Sequence, residues 1–529
     1  MIIKNGKTIS SIYKGNKVIE KIYKGTLVVY ESFKNLLASG VPPLTLLNCK
    51  GVDLVDYKIF GNSKQEGTPT PETPIEIESV GDKTKNLLDA SAIVPVQIAS
   101  NRTRYGFDLG VLPAGDYIFH FELGEGGTFP EYFYFYYKGH EDEYAVSDSN
   151  YHITTTTVRR NPMKFTADGV TNYYLICASS EHGTLELTTA EIEKAKNYML
   201  ETGTERHEYE QFGYKIPIIS RGKNIFDMTS LLANSNFSKN ENGDYVTTKF
   251  TNSFSLNNEL VKKVASALKP NTQYTISREA YGIDGNASAE GQIRIMASGE
   301  VLSRIPNANG LTSNTFTFTQ EQIDSITHIY VYGNNSGNPV TFRTIQIEEG
   351  DLTDYEPYIE PITTNIYLNE PLRKVGNYAD YIDFVNEKVV RTTKYKKIDS
   401  DNITRKSTSS TENFNYYFLS LDNDNMIGRD IPILSNIGGG IYTEFVLKNK
   451  EGIFTNTNTT YFIAFFNITT LEEAQQFVLD NNVYANYILT TPIEEPIELS
   501  SIPTHKGTTI LEVDTKVQPS NLEVVYKGK

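Results

Sequence analysis

The sequence predicts an all-β, multidomain chain, and three observations lead to that prediction. Aromatic residues make up 12% of the chain, with 35 tyrosines, 26 phenylalanines and no tryptophan. Such a mixture favours β-sheets, where a tyrosine ring covers the core while its hydroxyl meets water. Short runs such as residues 132–137, 172–177 and 315–318 alternate ring or apolar residues with polar ones between glycine, asparagine and proline turns. A long pattern also occurs twice, and 529 residues suffice for roughly three to five domains.

Charge and cysteine content exclude several classes of protein. The chain has 49 Lys+Arg against 65 Asp+Glu, a formal net charge of −16. So acidic a chain is not expected to bind nucleic acid or an anionic membrane surface, because both need a basic face. Two cysteines are too few for a disulfide framework or a cysteine-rich zinc site.

The start of the sequence carries no export signal. It passes directly into turn chemistry at Asn5-Gly6 without the apolar core of a signal peptide. No run of about 18 apolar residues, the length of a membrane-spanning helix, occurs anywhere. We therefore expect a soluble protein that is made in a cytoplasm and does not insert into a membrane.

Residues 1–38 form the first predicted element, a basic β-hairpin repeat. Related units at 3–6, 12–15 and 22–25 each end in glycine, which predicts short strands separated by turns. Residues 1–30 carry a net charge of +5, whereas the rest of the chain carries −21. Such short strands are not stable alone, so we expect a docking or assembly segment. A solvated edge kept soluble by lysines is the alternative. The docking lysines are Lys4, Lys7, Lys14, Lys17 and Lys24.

Residues 39–82 form the second element, a proline-rich connector. Residues 67–74 read Gly-Thr-Pro-Thr-Pro-Glu-Thr-Pro, and each proline fixes φ and lacks a backbone donor, so the segment must be extended. Residues 52–60 have strand composition. We predict a semi-rigid spacer rather than a domain.

The long repeat defines the third and fourth elements, residues 83–220 and 221–364. Lys-Asn-Leu-Leu-Asp at 85–89 returns as Lys-Asn-Ile-Phe-Asp at 223–227, and Glu-Thr-Gly at 201–203 returns as Glu-Glu-Gly at 348–350. The same order of signals in both copies predicts two homologous domains. Short strands at this spacing predict β-sandwiches with jelly-roll topology in tandem.

Residues 365–529 share neither signature and form the fifth element, a separate C-terminal β-rich domain. A polar stretch at 399–413 predicts a loop, and residues 511–526 return to strand composition. Helix signals are few. Residues 188–195 and 470–477 both begin with threonine followed by acidic residues, which is typical of a capped helix start.

Four strings carry a resemblance to a known family. Tyr-Lys-Ile-Phe-Gly-Asn-Ser at 57–63, the proline string at 67–74, Gly-Asn-Tyr-Ala-Asp-Tyr-Ile-Asp-Phe at 376–384 and Thr-Thr-Pro-Ile-Glu-Glu-Pro at 490–496 resemble pieces of bacteriophage and prophage tail and minor structural proteins. The repeated Lys-Asn start and acidic, tyrosine-containing end resemble their carbohydrate-binding-like jelly rolls. The basic N-terminal repeat resembles segments that begin fibre proteins. The first copy departs from this pattern, with His-Glu-Tyr-Glu-Gln-Phe at 207–212 where Tyr-Glu-Pro-Tyr is expected.

The resemblance implies an elongated virion structural protein, made in the host cytoplasm. It would be a fibre or adsorption-apparatus component anchored by its N-terminus, presenting glycan-binding-like sandwiches to the host surface. The implied partners are other virion proteins, further copies of the chain (a trimer is favoured) and a host cell-surface glycan. A structural calcium ion is compatible with it but not located, because the acidic runs at 141–143 and 422–425 lack the calcium-loop spacing and are typical of charged turns.

The densest candidate site follows the aromatic run at 129–137. Flat rings can stack on the apolar face of a sugar, and carboxylates can accept hydrogen bonds from its hydroxyls. A half-buried strand with a solvated acidic turn would give the same pattern. The predicted carbohydrate-binding residues are Tyr132, Tyr134, Tyr136, His140, Glu141 and Asp142.

No enzyme, catalytic residue, metal site or cofactor is predicted. The seven histidines lack metal-ligand spacing, and neither a nucleophile elbow nor a phosphate-binding loop occurs in a suitable context. Two alternatives stay open. One is a polysaccharide depolymerase using an acidic pair, since such pairs are numerous. The other is a bacterial surface adhesin, against which the missing secretion signal counts.

Overall fold

The structure, a computed structural model, describes seven short strands before residue 52 and most of the chain after it. The residues described in the second part are 52–99, 102–123, 134–139, 153–154, 162–170, 172–178, 195–247, 253–255, 258–282, 291–297, 299–306, 308–333, 339–408, 415–421, 433–441, 451–455, 461–465, 467–499, 502–505 and 507–528.

The first six strands pair as three antiparallel hairpins, β1 with β2, β3 with β4 and β5 with β6. The strands are β1 (Ile2–Lys4), β2 (Lys7–Ile9), β3 (Ile12–Lys14), β4 (Lys17–Ile19), β5 (Lys21–Lys24) and β6 (Leu27–Glu31). Lys4 lies opposite Lys7, and Lys14 lies opposite Lys17. In the sequence, a glycine falls between the two strands of each hairpin, as the repeat predicts.

The next fourteen strands run through the predicted connector and the first repeat. They are β7 (Leu44–Leu47), β8 (Val52–Phe60), β9 (Ser63–Lys64), β10 (Glu78–Ser79), β11 (Asp82–Lys83), β12 (Ile93–Ala99), β13 (Arg102–Val111), β14 (Gly115–Leu123), β15 (Tyr134–Gly139), β16 (Ile153–Thr154), β17 (Met163–Ala167), β18 (Asn172–Ala178), β19 (Ala195–Thr202) and β20 (Tyr214–Arg221).

The second repeat adds nine strands, two helices and one 3-10 turn at Met228–Ala233. These are β21 (Phe237–Lys239), β22 (Tyr245–Thr247), β23 (Ser253–Ser255), α1 (Asn258–Ala267), β24 (Gln273–Gly282), β25 (Ile293–Ala297), β26 (Glu300–Ile305), β27 (Gly310–Thr317), α2 (Gln320–Asp324), β28 (Ile326–Tyr332) and β29 (Val340–Glu349).

The remainder holds fourteen strands, one helix and a 3-10 turn at Ser400–Asn402. These are β30 (Ile362–Leu368), β31 (Lys374–Val375), β32 (Tyr378–Ala379), β33 (Tyr381–Asp383), β34 (Lys388–Lys397), β35 (Ile403–Thr408), β36 (Asn415–Leu419), β37 (Leu434–Ser435), β38 (Gly439–Ile441), β39 (Gly452–Thr455), β40 (Tyr461–Phe465), α3 (Leu471–Asp480), β41 (Tyr484–Pro496), β42 (Thr508–Val513) and β43 (Asn521–Gly528).

Strands from distant parts of the chain build what we call the central unit. One sheet has the order β37-β41-β34-β33-β8-β43; in the other, β20 pairs with β11, β42 and β30, and β42 pairs with β7. The apolar side chains between these sheets share one core, with members Ile59, Val80, Ile216, Ile218, Ile366, Leu368, Leu372, Ile382, Val389, Leu511, Val513 and Val517. Residues 39–82, predicted as a spacer, therefore supply strands to a packed unit, because β8 finds hydrogen-bonding partners on both edges.

Three modules are inserted between strands of the central unit. The first module (84–213) is a sandwich of sheets β12-β13-β18-β15-β16 and β17-β14-β19, and the second (222–361) is a sandwich of sheets β21-β22-β29-β24-β27 and β23-β28-β25-β26. The order β17-β14-β19 in the first module matches β27-β24-β29 in the second. The repeat seen in the sequence is thus also a repeat of strand order.

The third module (398–483, apart from β37, which pairs with β41 of the central unit) joins the sheet β35-β36-β40-β39-β38 to helix α3. Thr470 caps this helix as predicted, because its hydroxyl accepts from the Glu473 N–H while the Glu473 carboxylate accepts from the Thr470 N–H. Ala474 and Val478 of α3 are buried in the module's core. The other predicted helix, 188–195, lies mostly outside the described residues, and Ala195 begins β19.

The all-β prediction is confirmed, because most of the described elements are strands and the helices among them are few and short. Helix α1 had not been predicted. It packs on the core of the second module through Leu260, Val261 and Val264, which recur on one face of a helix. Within the described part of the chain, no helix has the length and apolar character needed to cross a membrane.

Candidate functional site

The repeated Lys-Asn signature closes each sandwich. In the first module the buried Asn86 donates through Nδ2 to the carbonyls of Tyr198 (2.9 Å) and Glu210 (3.1 Å). Its Oδ1 accepts from the backbone N–H groups of Leu88 (3.0 Å) and Leu200 (3.1 Å). One amide thereby joins the first segment of the module to its last strand and to the segment that follows.

The second module repeats this arrangement atom for atom. Asn224 donates to the carbonyls of Ile345 (3.1 Å) and Glu356 (3.0 Å), and accepts from the N–H groups of Phe226 (2.9 Å) and Ile347 (3.1 Å). The amide is only 1% exposed. The signature that resembles carbohydrate-binding modules is therefore a structural clasp in both copies.

The glutamate of the closing signature is also structural. Glu201, 1% exposed, accepts from the His207 N–H at 2.9 Å, and its other oxygen lies 2.6 Å from His207 Nδ1. The buried His120 Nε2 lies 3.4 Å from Glu201. Burial is the main cause that lowers the pKa of His120 below its ordinary value, and the positive charge of Arg206 lowers it further. The carboxylate of Glu201 opposes this shift. His120 is therefore neutral at neutral pH.

The second module surrounds the equivalent Glu348 differently. Glu348 accepts from the Thr353 N–H at 2.9 Å and from the Gln346 side-chain amide at 2.7 Å. Its Oε2 lies 3.8 Å from Lys223 Nζ. The two copies thus keep the backbone contact and change the neighbouring side chains. This difference accompanies the departure from the family pattern at 207–212.

The tyrosine-glutamate ending anchors each module to the central unit. Glu210 accepts from the Lys215 ammonium of β20 at 2.5 Å. Glu356 accepts from the N–H (2.8 Å) and hydroxyl (2.9 Å) of Thr508 in β42. Gly507 permits this approach, since it has φ +98° and a Cβ there would lie 2.6 Å from Glu356 Oε2.

An ion-pair network strengthens the second of these joints. Glu512 of β42 lies 2.7 Å from Arg221 Nη2 and 2.9 Å from Lys269 Nζ. Burial alone would raise the pKa of Glu512, but the hydrogen bond and charge of Arg221, together with Lys269, hold it below its ordinary value. Burial lowers the pKa of Lys269 despite its two acidic neighbours, Glu512 and Glu349. The network spans the central unit and the second module, so it fixes how they are joined.

The predicted carbohydrate site lies largely outside the described residues. Tyr134 and Tyr136 occupy β15, opposite Ala178 and Ile176 of β18. Tyr132, His140, Glu141 and Asp142 lie outside the described residues, as do the side chains of the two strand tyrosines. The same holds for the acidic runs considered for calcium and for the docking lysines beyond their strand positions. The site therefore stays a prediction.

A row of rings lies along β28 in the second module. The rings of His328 and Tyr330 are nearly parallel, with centroids 5.3 Å apart, and the tilted ring of Tyr332 follows at 6.1 Å from that of Tyr330. The Arg294 guanidinium lies 4.6 Å from the Tyr332 ring. These side chains alternate with the buried Ile329 and Val331, so they form the outer face of the sheet.

A cleft of about 810 Å³ lies between the two sheets of the central unit, beside the end of the first module. This volume falls in the range of small-ligand sites, which favour such joints between domains. We call it the central cleft. Its lining comes from the last segment of the first module, from β30 and β34, from the end of β41 and from the residues that follow β30 and β41. These residues are Gln211, Asn365, Tyr367, Leu368, Asn369, Val389, Arg391, Glu495, Pro496, Ile497, Glu498 and Leu499.

The single cation of the central cleft is fully engaged. Arg391, 5% exposed, donates to the carbonyls of Pro371 (2.8 Å) and Glu370 (2.9 Å) and to the Glu495 carboxylate (3.2 Å). Its Nη1 also lies 3.5 Å from Asp380. Its donors are therefore directed at the protein rather than at the cavity.

Two tyrosines meet at the edge of the cleft. Burial raises the pKa of Tyr367, which is also near Glu210 and is hydrogen-bonded to Asn365. Burial likewise raises the pKa of Tyr209, and the nearby Tyr367 raises it further. Both hydroxyls therefore stay protonated at neutral pH, and both rings are only partly buried.

Comparisons with known proteins yield distant likenesses. No protein-family model matches this chain, and no curated protein matches it significantly. Among solved structures, it is similar to the N-terminal CBM22-1-CBM22-2 tandem domain of Xyn10C from Paenibacillus barcinonensis, at 10% identity, covering 60% of this chain and 100% of that one with a TM-score of 0.19.

Two viral structures give similar values. The T13 viral particle of IBDV matches at 10% identity over 62% of this chain and 76% of that one, with a TM-score of 0.12. The VP2 subviral particle of infectious bursal disease virus matches at 10% identity over 61% and 73%, with a TM-score of 0.10. Likenesses this distant carry no functional conclusion, so the proposals below depend on the chain's own residues.

Proposed function

We propose that this protein is a structural component of a bacteriophage particle, a fibre or adsorption-apparatus protein that contacts glycans on the host surface. It is anchored by its N-terminus and is not an enzyme. The proposal rests on the positions of the four strings that resemble phage proteins. All four belong to, or pack against, the central unit that joins the modules. They correspond to scaffold rather than to a reaction site.

The contacts among these strings support a scaffolding role. β33 pairs with both β8 and β34, and the end of β41 pairs with β34. Gly61 packs so closely on residue 373 that a Cβ would lie 2.4 Å from the Arg373 carbonyl. The proline string is held at its flanks, where Gln65 donates to the Ser435 carbonyl and the Ile75 N–H donates to Asn436.

The most deeply buried carboxylates are not available as a catalytic pair for the depolymerase alternative. Asp380, Glu201 and Glu348 are each 0–1% exposed and bound by donors of their own fold. A glycosidase needs two carboxyl groups facing a substrate groove, one to donate and one to attack or activate water. Among the described residues, no group of three or more His, Cys, Asp and Glu is placed to hold a metal ion either.

Binding to cells tests the attachment function. We expect the labelled full chain to sediment with bacterial cells of its host, and mild periodate oxidation of those cells to reduce the bound fraction by at least about tenfold. Periodate cleaves the vicinal diols of sugars and leaves most protein receptors able to bind. Cells carried through the same treatment with periodate already quenched are the control. Binding that survives periodate but is lost after protease treatment of the cells, or no binding to host cells, would contradict the proposal.

We also propose that residues 1–38 assemble the chain into a homo-oligomer, a trimer by preference. This segment contains three two-stranded hairpins and, within residues 1–30, six lysines but one glutamate. Hairpins of two short strands need additional burial to be stable. Light scattering of the full chain and of a chain lacking residues 1–38 should give three times the monomer mass for the first and a monomer for the second. A monomer in both cases would contradict self-assembly and favour docking on another virion protein. Oligomers in both cases would place the contacts in the modules or the central unit.

A further inference from the structure

The central cleft offers hydrogen-bonding groups that match sugar hydroxyls. Gln211, Asn365 and Asn369 are exposed amides that line it, and each amide presents both donors and acceptors. A hydroxyl group is likewise both donor and acceptor, so amides can satisfy it in either role. Tyr367 adds a partly exposed ring on which the apolar face of a sugar can lie.

The charge of the cleft selects against anions. Glu495 and Glu498 line it, and at its edge, near Tyr367, the carboxylate of Glu210 is paired with the ammonium of Lys215. Arg391 would be the natural partner of a phosphate, sulfate or uronate, but its donors already bind two carbonyls and Glu495. An anionic ligand would therefore meet carboxylates without a free cation to offset them.

The floor of the cleft is apolar and part of a packed core. Leu368 and Val389 are 4% and 2% exposed and belong to the core of the central unit. Asn365 lies on β30, Asn369 follows that strand directly and Glu495 lies on β41, so strands position these three side chains, whereas Gln211 lies in the irregular segment before β20. Such preorganisation reduces the ordering that a ligand must induce.

We propose that the central cleft binds a short neutral oligosaccharide through Asn365, Asn369 and Gln211, with Tyr367 beneath a sugar ring. This inference rests on the proposed glycan-attachment function and names a site for it. The site differs from the predicted one at 132–142, since it lies at the joint between the first module and the central unit.

Saturation-transfer NMR on the full chain tests the proposal. The probes are cellotetraose, xylotetraose, maltotetraose and chitotetraose as neutral oligosaccharides, and tetragalacturonate as the anionic one. We expect transfer to at least one neutral probe and none to the anionic probe. Asn369→Arg places a bulky cation in the cleft and should weaken binding of the neutral probe by at least about tenfold. Asn377→Arg makes the same change at an exposed asparagine that is not among the cleft residues and should bind as the unaltered chain does.

The outcomes separate this site from the general function. Equal binding by Asn369→Arg and the unaltered chain would overturn the cleft while leaving glycan attachment standing. Binding of tetragalacturonate alone, or of none of the probes, would also overturn it, and the periodate test then decides independently whether the chain attaches to glycans. An Asn369→Arg chain that binds tetragalacturonate but no neutral probe would support the charge argument, because the added cation supplies what the cleft lacks.

Discussion

Asp380→Ala is expected to destabilise the central unit by about 3–5 kcal/mol, the range measured when one partner of a buried charge network is removed. Asp380 is 0% exposed and lies between β32 and β33. Its carboxylate accepts from the N–H groups of Arg373 (3.1 Å), Thr392 (2.9 Å) and Thr393 (2.9 Å). Alanine would leave these buried donors without an acceptor.

The same carboxylate fixes an irregularity in β34. The register of β34 against β41 shifts between Arg391 and Thr393, and Asp380 binds the two N–H groups at that point as well as the Thr393 hydroxyl. Burial raises the pKa of Asp380, and Arg391 opposes this shift. Loss of Asp380 should therefore also loosen Arg391 and, with it, the wall of the central cleft.

Hydrogen–deuterium exchange with mass spectrometry measures this effect locally. Peptides covering 388–397 should exchange roughly 10²–10⁴ times faster in Asp380→Ala, while peptides of the second module serve as an internal reference. Asp401→Ala removes an exposed carboxylate, so the opening free energy derived from exchange should change by less than about 0.5 kcal/mol. Unchanged protection of 388–397 would show that water or a shift of the strand replaces the carboxylate, and the proposed structural role would be wrong.

Local patterns in the sequence predicted much of the fold. Alternation of ring or apolar and polar residues marked strands such as β27, because one face of this strand is more buried than the other. Thr470 and Glu473 marked the start of α3, because a capping box is complete within four residues. Where the deciding contacts are local, the residue pattern is sufficient.

The central unit could not be predicted in this way. β8 pairs with β43, so segments near the two ends of the chain lie side by side. Strands that are consecutive in the sequence usually lie next to one another in a sheet. The local composition of residues 52–60 does not indicate a pairing partner so distant in the sequence. The prolines at 69, 71 and 74 predicted extended backbone, but residues 71–73 bend, and the N–H groups of Thr70 and Thr73 each donate to the other's carbonyl. The proline string alone does not distinguish a spacer from a segment packed along a sheet.

The central cleft illustrates the same limit for a binding site. Gln211, Asn369 and Glu498 are ordinary surface residues in the sequence, and no spacing links them. They come together only because β20, β30 and β41 join the same unit. The aromatic run at 132–137 attracted the prediction because its residues are adjacent. A site assembled from separate segments leaves no such signal.

Asn224→Ala is expected to destabilise the second module by about 3–5 kcal/mol, because four hydrogen bonds to buried backbone groups are lost together. Each buried polar group left without a partner costs about 1–3 kcal/mol, and relaxation or entry of water recovers part of the total. Alanine also leaves a small void beneath β29. Exposed Asn242 in the same module is the matched control, since its replacement by alanine should have little effect on stability.

The repeat supplies a second test of the same idea. Asn86→Ala should destabilise the first module by a similar amount, because Asn86 makes the equivalent four contacts. Exchange should rise in peptides of the altered module by roughly 10²–10⁴-fold and stay unchanged in the core of the other. If either substitution accelerated exchange equally in both modules, the modules would unfold as one cooperative unit through the central unit. If both left exchange unchanged and abolished attachment to cells instead, the Lys-Asn signature would be a binding element, and its interpretation as a clasp would be wrong.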